Sequence, residues 1–232
     1  MEMRPYRRIV LPLPEDTLEA VDLTSDLHED IGIIQVTAAL YENAGESILN
    51  LAPECALSTF LDIEYKGGVE AIRQNIEFAK EHQVSFVSLH IDNPPEVFTA
   101  AVAAAGEEVE VLVSLDPNRD WRKDAANVSA AGITGFVCHP DHVRDLRDEY
   151  LESTIMVRGI TPQQDDEDEE PARGDCPSRA MRRGADYLIV EGIATVTMED
   201  FPENIRRKMK SGRIDPRVAV AKAVSETMRP YT

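Results

Sequence analysis

The chain is predicted to fold as a single (β/α)8 barrel, and three observations predict it. Apolar runs of β type alternate with helix-period segments from end to end, with no linker interrupting the series. The stretch from Ile155 to Thr195 reads as a strand, a long polar loop, a short helix and a second apolar strand. That is a βαβ unit with its oversized loop at the C-terminal end of the strand, where parallel α/β proteins hold ligands. Neither G-x-G-x-x-G nor G-x-x-x-x-G-K-[ST] occurs, which weighs against the alternative, a doubly wound open sheet.

In chain order, strands are expected at 8–13, 31–36, 58–65, 84–91, 109–115, 135–139, 154–157 and 187–190. Helical patterns follow at 17–27, 38–51, 69–82, 96–105, 121–131, 141–151, 178–183 and 202–209, with a further helix at 216–228. The joints of the seventh and eighth units have physical reasons. Ile155, Met156 and Val157 suit a buried strand, and Gly159 lets the backbone turn where a side chain would clash. Asp175 or Cys176 stands at the next helix cap, with Pro177 just inside, where a missing N–H costs nothing. Gly184 stops that helix, the run from Ala185 to Val190 forms the strand, and Glu191-Gly192 opens the loop after it.

With 232 residues, 43% of them hydrophobic, the chain can bury a substantial core, and one domain of this length is ordinary for a barrel. Cys55, Cys138 and Cys176 show no paired spacing, which points to a reducing, cytoplasmic setting. The opening MEMRPYRRIVLPLP lacks the long apolar core of a signal peptide or membrane span. The net charge of −19 would repel nucleic-acid phosphates and anionic membranes, so neither is expected as a partner. A surface adapted to high salt has this character, and so has an ordinary acidic protein.

Several segments together resemble one family. They are Phe60-Leu61-Asp62-Ile63-Glu64-Tyr65-Lys66, the strand Gly135-Phe136-Val137-Cys138, the turn Arg158-Gly159-Ile160 and the run Gly184-Ala185-Asp186-Tyr187-Leu188-Ile189-Val190. In order and spacing they are similar to the orotidine 5′-phosphate decarboxylase family, within the ribulose-phosphate-binding barrels, over nearly the whole chain. The resemblance implies a carbon–carbon lyase, by default a carboxy-lyase of pyrimidine biosynthesis, acting on orotidine 5′-phosphate or a related sugar phosphate without cofactor or metal. It also implies a homodimer whose barrel mouths face each other, with the third-strand motif near the partner.

The family's third-strand signature is Asp-x-Lys-x-x-Asp, in which the first Asp stresses the departing carboxylate and the Lys protonates the carbanion. Here the stretch is Asp62-x-Glu64-x-x-Gly67, so only the first Asp matches. Gln35 stands where the family has a second-strand Lys, and Pro14 at or near its first-strand Asp. The family's Pro-Gly-Ile phosphate turn is Arg158-Gly159-Ile160, and its Gly-Arg after the last strand is Glu191-Gly192, so a phosphate-binding Arg is replaced. The alternative is therefore a non-catalytic or redirected barrel that keeps a phospho-ligand pocket.

Strand alternation would put Asp62, Glu64 and Lys66 on one face, as a proton-transfer site or as a rim salt bridge. Lys66 is then the nearest candidate proton donor. His90, at the end of the fourth strand, is either ligand-facing, as the family often places a histidine, or a satisfied rim residue. Arg158, Gly159 and Gly192 complete the expected binding set, with Arg173 and Arg179 as further sources of positive charge. Cys138, His139, Asp141 and His142 match no zinc spacing, so no metal site is expected there. The acidic run 165–170 would repel a phosphate and is read as a solvated loop tip.

Overall fold

Eight parallel strands close on one another in sequence order, from β1 round to β8 and back to β1, in a computed structural model that describes residues 4–161, 176–196 and 215–229. The strands are β1 (Ile9–Pro12), β2 (Ile33–Thr37), β3 (Ser58–Tyr65), β4 (Phe86–Leu89), β5 (Glu110–Ser114), β6 (Gly135–Cys138), β7 (Thr154–Ile160) and β8 (Tyr187–Val190). Each expected strand is present, and the sheet is closed rather than open.

The helices also follow the predicted pattern, with two differences. The expected helix 38–51 is an α-helix Ala38–Ala44, a 3-10 stretch Gly45–Asn50 and a single turn Leu51–Glu54. Gly45, at φ +69°, breaks the first of these, because a left-handed residue cannot continue an α-helix. The expected helix 141–151 is a 3-10 turn Pro140–His142 followed by Val143–Glu149. The expected helix 202–209, the acidic run 165–170, Arg173 and the cap candidate Asp175 lie outside the described residues. Cys176 is the N-cap of the helix Pro177–Arg182.

Two apolar layers hold the barrel. Inside it, Val10, Ile33, Phe60, Phe86, Leu112, Val137, Met156 and Ile189, one from each strand, form a plug. Residues of the opposite parity, such as Ile34, Leu61, Val87, Val113 and Val157, pack outwards against Leu23 and Leu27 of the helix Thr17–Leu27 and Ile72 and Ile76 of the helix Val69–Glu81. Burial of each such side chain contributes about 1.5–3 kcal/mol. The plug divides the barrel into a floor, where the strands begin, and a mouth, where they end. Cys55, Cys138 and Cys176 form no disulfide with one another. No described helix is long and apolar enough to cross a membrane.

Candidate functional site at the barrel mouth

Side chains alternate along a strand, so the residue two places beyond each plug position faces the same interior, one layer nearer the mouth. Those positions include Gln35, Asp62, Ser88, Ser114 and Arg158. The apolar plug is thus topped by polar side chains, and their contacts link neighbouring and distant strands. Gln35 Nε2 donates to Asp62 Oδ2 at 2.7 Å. Arg158 Nη2 donates to Ser114 Oγ at 2.9 Å and lies 3.9 Å from Asp62 Oδ2. At an effective dielectric near 20, unit charges ~4 Å apart attract by about 4 kcal/mol before desolvation is counted. Asp62 is therefore not an isolated negative charge. Its side chain is 11% exposed, and its Oδ1 is buried without a hydrogen-bond partner among the described residues.

The end of β3 departs from regular alternation. Leu61 pairs with Val87 of β4, but the next pair is Tyr65 with Leu89, so β3 spends two more residues than its neighbour. Glu64, inside this bulge, has φ +53°, a left-handed conformation rare for a side chain of this kind. The expectation that Asp62, Glu64 and Lys66 share one strand face is corrected accordingly. Asp62 keeps its interior position, the backbone bends at Glu64, and Lys66 lies beyond the strand's last residue, Tyr65. The Lys66 side chain is 58% exposed and pairs with Asp92 at 3.6 Å.

Above the polar layer an open pocket of about 370 Å³ is lined by Glu64, His90, Ile91, Asp92, Ser114, Leu115, Asp116, Pro117, Arg119 and Arg158. Asp92 draws three mouth loops together. Its carboxylate lies 3.6 Å from Lys66, 3.7 Å from His90 Nδ1 and 2.9 Å from Arg119, and its N–H donates to His90 Nδ1. The hydrogen bond from Arg119 holds the Asp92 carboxyl below the usual carboxylate range. Asp116 is lowered likewise, by the Asn118 backbone N–H and side-chain amide that bond it. The pocket thus offers ionised carboxylates, a histidine and two guanidiniums within one concavity, groups suited to anion binding and proton transfer.

Of the residues expected from sequence, Glu64, His90 and Arg158 line this pocket, and Asp62 lies beneath it in contact with Arg158. Gly159 and Gly192 are not among its lining residues. Gly159 has φ +73°, and a bulge between Val157 and Ile160 extends β7 past its expected end. Gly192, at φ +87°, turns the chain after β8. The His139 region makes local contacts. His139 Nδ1 accepts the Asp141 N–H, His142 stacks on Trp121 with ring centroids 4.5 Å apart, and burial pushes the Cys138 thiol up to about 12. Among the described residues no group of three or more His, Cys, Asp or Glu could hold a metal ion.

Sequence reasoning missed Ser88, Asn93, Ser114, Asp92, Asp116 and Arg119. Ser88 and Ser114 had a usable signal, since each stands two residues beyond a plug position, at Phe86 and Leu112. Asp92, Asn93 and Arg119 lie in loops after β4 and β5, and no local pattern marks them.

No family model matches the chain. Among curated proteins it is 24% identical over 205 residues to an orotidine 5′-phosphate decarboxylase of Gloeothece citriformis, an alignment covering 79% of this chain and 88% of that protein. It is 25% identical over 216 residues to the enzyme of the same name from Desulfosudis oleivorans, covering 80% and 85%. Among solved structures it is similar to orotidine 5′-phosphate decarboxylase from Lactobacillus acidophilus, with a TM-score of 0.72 at 15% identity, covering 95% of this chain and 98% of that one.

Proposed function

Given that the chain is a divergent relative of the orotidine 5′-phosphate decarboxylase family, we propose that its barrel mouth binds a phosphorylated small molecule and that decarboxylation of orotidine 5′-phosphate is very weak or absent. The observation that carries this reading is the state of Asp62. In the family's mechanism that carboxylate must press its charge against the substrate's carboxylate. Here Oδ2 is occupied by the Gln35 amide and faces the Arg158 guanidinium. The proton donor is also out of place, because Lys66 lies past the bulge and is paired with Asp92.

What the site retains is an anion receptor and acid–base groups. Arg158, 42% exposed, can turn from Asp62 to a phosphoryl group, and His90 and Glu64 stand at the same pocket to give or take a proton. A redirected lyase or a binding protein for a sugar phosphate fits this set better than a decarboxylase, whose interacting charges lose activity non-additively when broken. The reading needs neither cofactor nor metal, and it places the protein in the cytoplasm as a homodimer joined through the loops after β2 to β4.

The test is turnover of orotidine 5′-phosphate by the wild type and by Lys66→Ala. No release of carbon dioxide above background, or a trace lost in the variant, fits the proposal. Robust decarboxylation that survives Lys66→Ala would overturn it. Sedimentation of a monomer at micromolar concentration would remove the dimer.

A further inference from the structure

The β3 bulge is held by buried groups that have no other evident task. Ser88 is fully buried, and its Oγ accepts the Glu64 N–H at 2.8 Å. Asn93, 6% exposed, accepts the Gly67 N–H at 3.2 Å and donates to the carbonyls of Tyr65 at 2.8 Å and His90 at 3.0 Å. The His90 N–H donates to the same Tyr65 carbonyl. Two side chains thus hold the bulge, one at the Glu64 N–H and one just beyond it, and tie it to the loop that carries His90.

Left to itself, Glu64 would relax from φ +53° towards an extended conformation and restore the pairing lost between Leu61 and Tyr65. Buried serine and asparagine are retained only where their hydrogen bonds are satisfied, and here those bonds serve an irregular backbone rather than the regular ladder. A bulge beside a pocket re-aims a side chain, and backbone strain of this kind collects at ligand sites. We propose that Ser88 and Asn93 are positioning residues that hold the bulge so that the Glu64 carboxylate and the His90 ring face one ligand. This rests on the mouth being the ligand site.

The backbone half of the proposal is tested without ligand. Exchange of the Glu64 amide proton should accelerate by roughly tenfold or more in Ser88→Ala, where its acceptor is gone. Glu64→Gly should melt about 2–4 °C above Glu64→Ala, because glycine adopts the left-handed conformation without strain. The functional half uses ribose 5-phosphate as the probe. Ser88→Ala should weaken its binding by about tenfold, the consequence of a misplaced carboxylate. Glu64→Gly should weaken binding as much while melting above Glu64→Ala, an outcome that loss of structure alone would not give.

Unchanged amide exchange in Ser88→Ala, or equal melting of the Gly and Ala variants, would overturn the proposal. So would full-strength binding by Glu64→Gly. If the wild type binds no phosphate ester, the mouth reading fails, and with it Glu64 as a ligand group. Amide exchange and melting would still decide whether Ser88 holds the bulge.

Discussion

The two ends of the barrel use the same kinds of residue to different ends. At the floor, Arg147 donates to the carbonyls of Gly184 at 3.0 Å, Leu151 at 2.7 Å and Ser153 at 2.8 Å and pairs with Asp186, whose Oδ2 also accepts the Ile155 N–H. The fit is close: a Cβ on Gly184 would come within 2.7 Å of the Arg147 side chain. At the mouth, among the described residues, Arg158 makes one hydrogen bond and one long ion pair, and Asp62 keeps an unpartnered oxygen. Both irregularities of the sheet, between Leu61 and Tyr65 and between Val157 and Ile160, also fall at the mouth. An arginine with every nitrogen engaged staples a fold, whereas one with nitrogens to spare, over a buried carboxylate, is available to a ligand.

Removing the two arginines should break the symmetry most visibly. Arg147→Ala, which leaves Asp186 and several carbonyls without their donor, should cost about 3 kcal/mol in chemical denaturation. Arg158→Ala should change stability by less than about 1 kcal/mol. Equal losses would mean that the mouth arginine is structural too.

Asp62 sharpens the comparison within the mouth. Asp62→Asn keeps an oxygen for the Gln35 amide and should alter stability by less than about 1 kcal/mol. Asp62→Ala leaves that buried amide unsatisfied and should cost about 1–3 kcal/mol. Thermal melts of the pair decide whether the hydrogen bond or the charge matters.

The smallest effect belongs to Glu110 at the start of β5. Burial outweighs its hydrogen bond with Thr154 and raises its carboxyl above the usual carboxylate range. The folded state then binds the proton more tightly than the unfolded one. Stability from this group is full below about pH 4.3 and falls as pH rises through the raised value. Glu110→Gln should flatten that decline in melts taken between acid and neutral pH. A wild-type curve parallel to that of the variant would place the group in water.

The barrel was legible because each strand is a short apolar run and each following helix has its own period, so closure follows from counting units. The helix 69–82 and the strand 187–190 needed no tertiary information. The site was legible in part. Asp62 and Arg158 stand two residues beyond the plug residues Phe60 and Met156, at the near edge of each irregularity, where alternation still predicts their facing. Lys66 was misplaced because alternation was carried through Glu64, and nothing in the local sequence marks a left-handed glutamate. Its N–H is held by Ser88, 24 residues away in the chain. Asn93 was invisible for the same reason, since a loop asparagine gives no hint that it will be buried against Tyr65 and His90.

The contrast between a structural floor and a receptive mouth is tested most directly by thermal shift with saturating ribose 5-phosphate, uridine monophosphate and orotidine 5′-phosphate, on the wild type and on Arg158→Ala. At about 100 times the dissociation constant, a bound ligand adds ~2.7 kcal/mol to the native state, a shift of several degrees. The expected result is a rise for at least one phosphate ester in the wild type and none in Arg158→Ala. No rise with any of them, or the same rise in the variant, would contradict a phosphate site at the mouth.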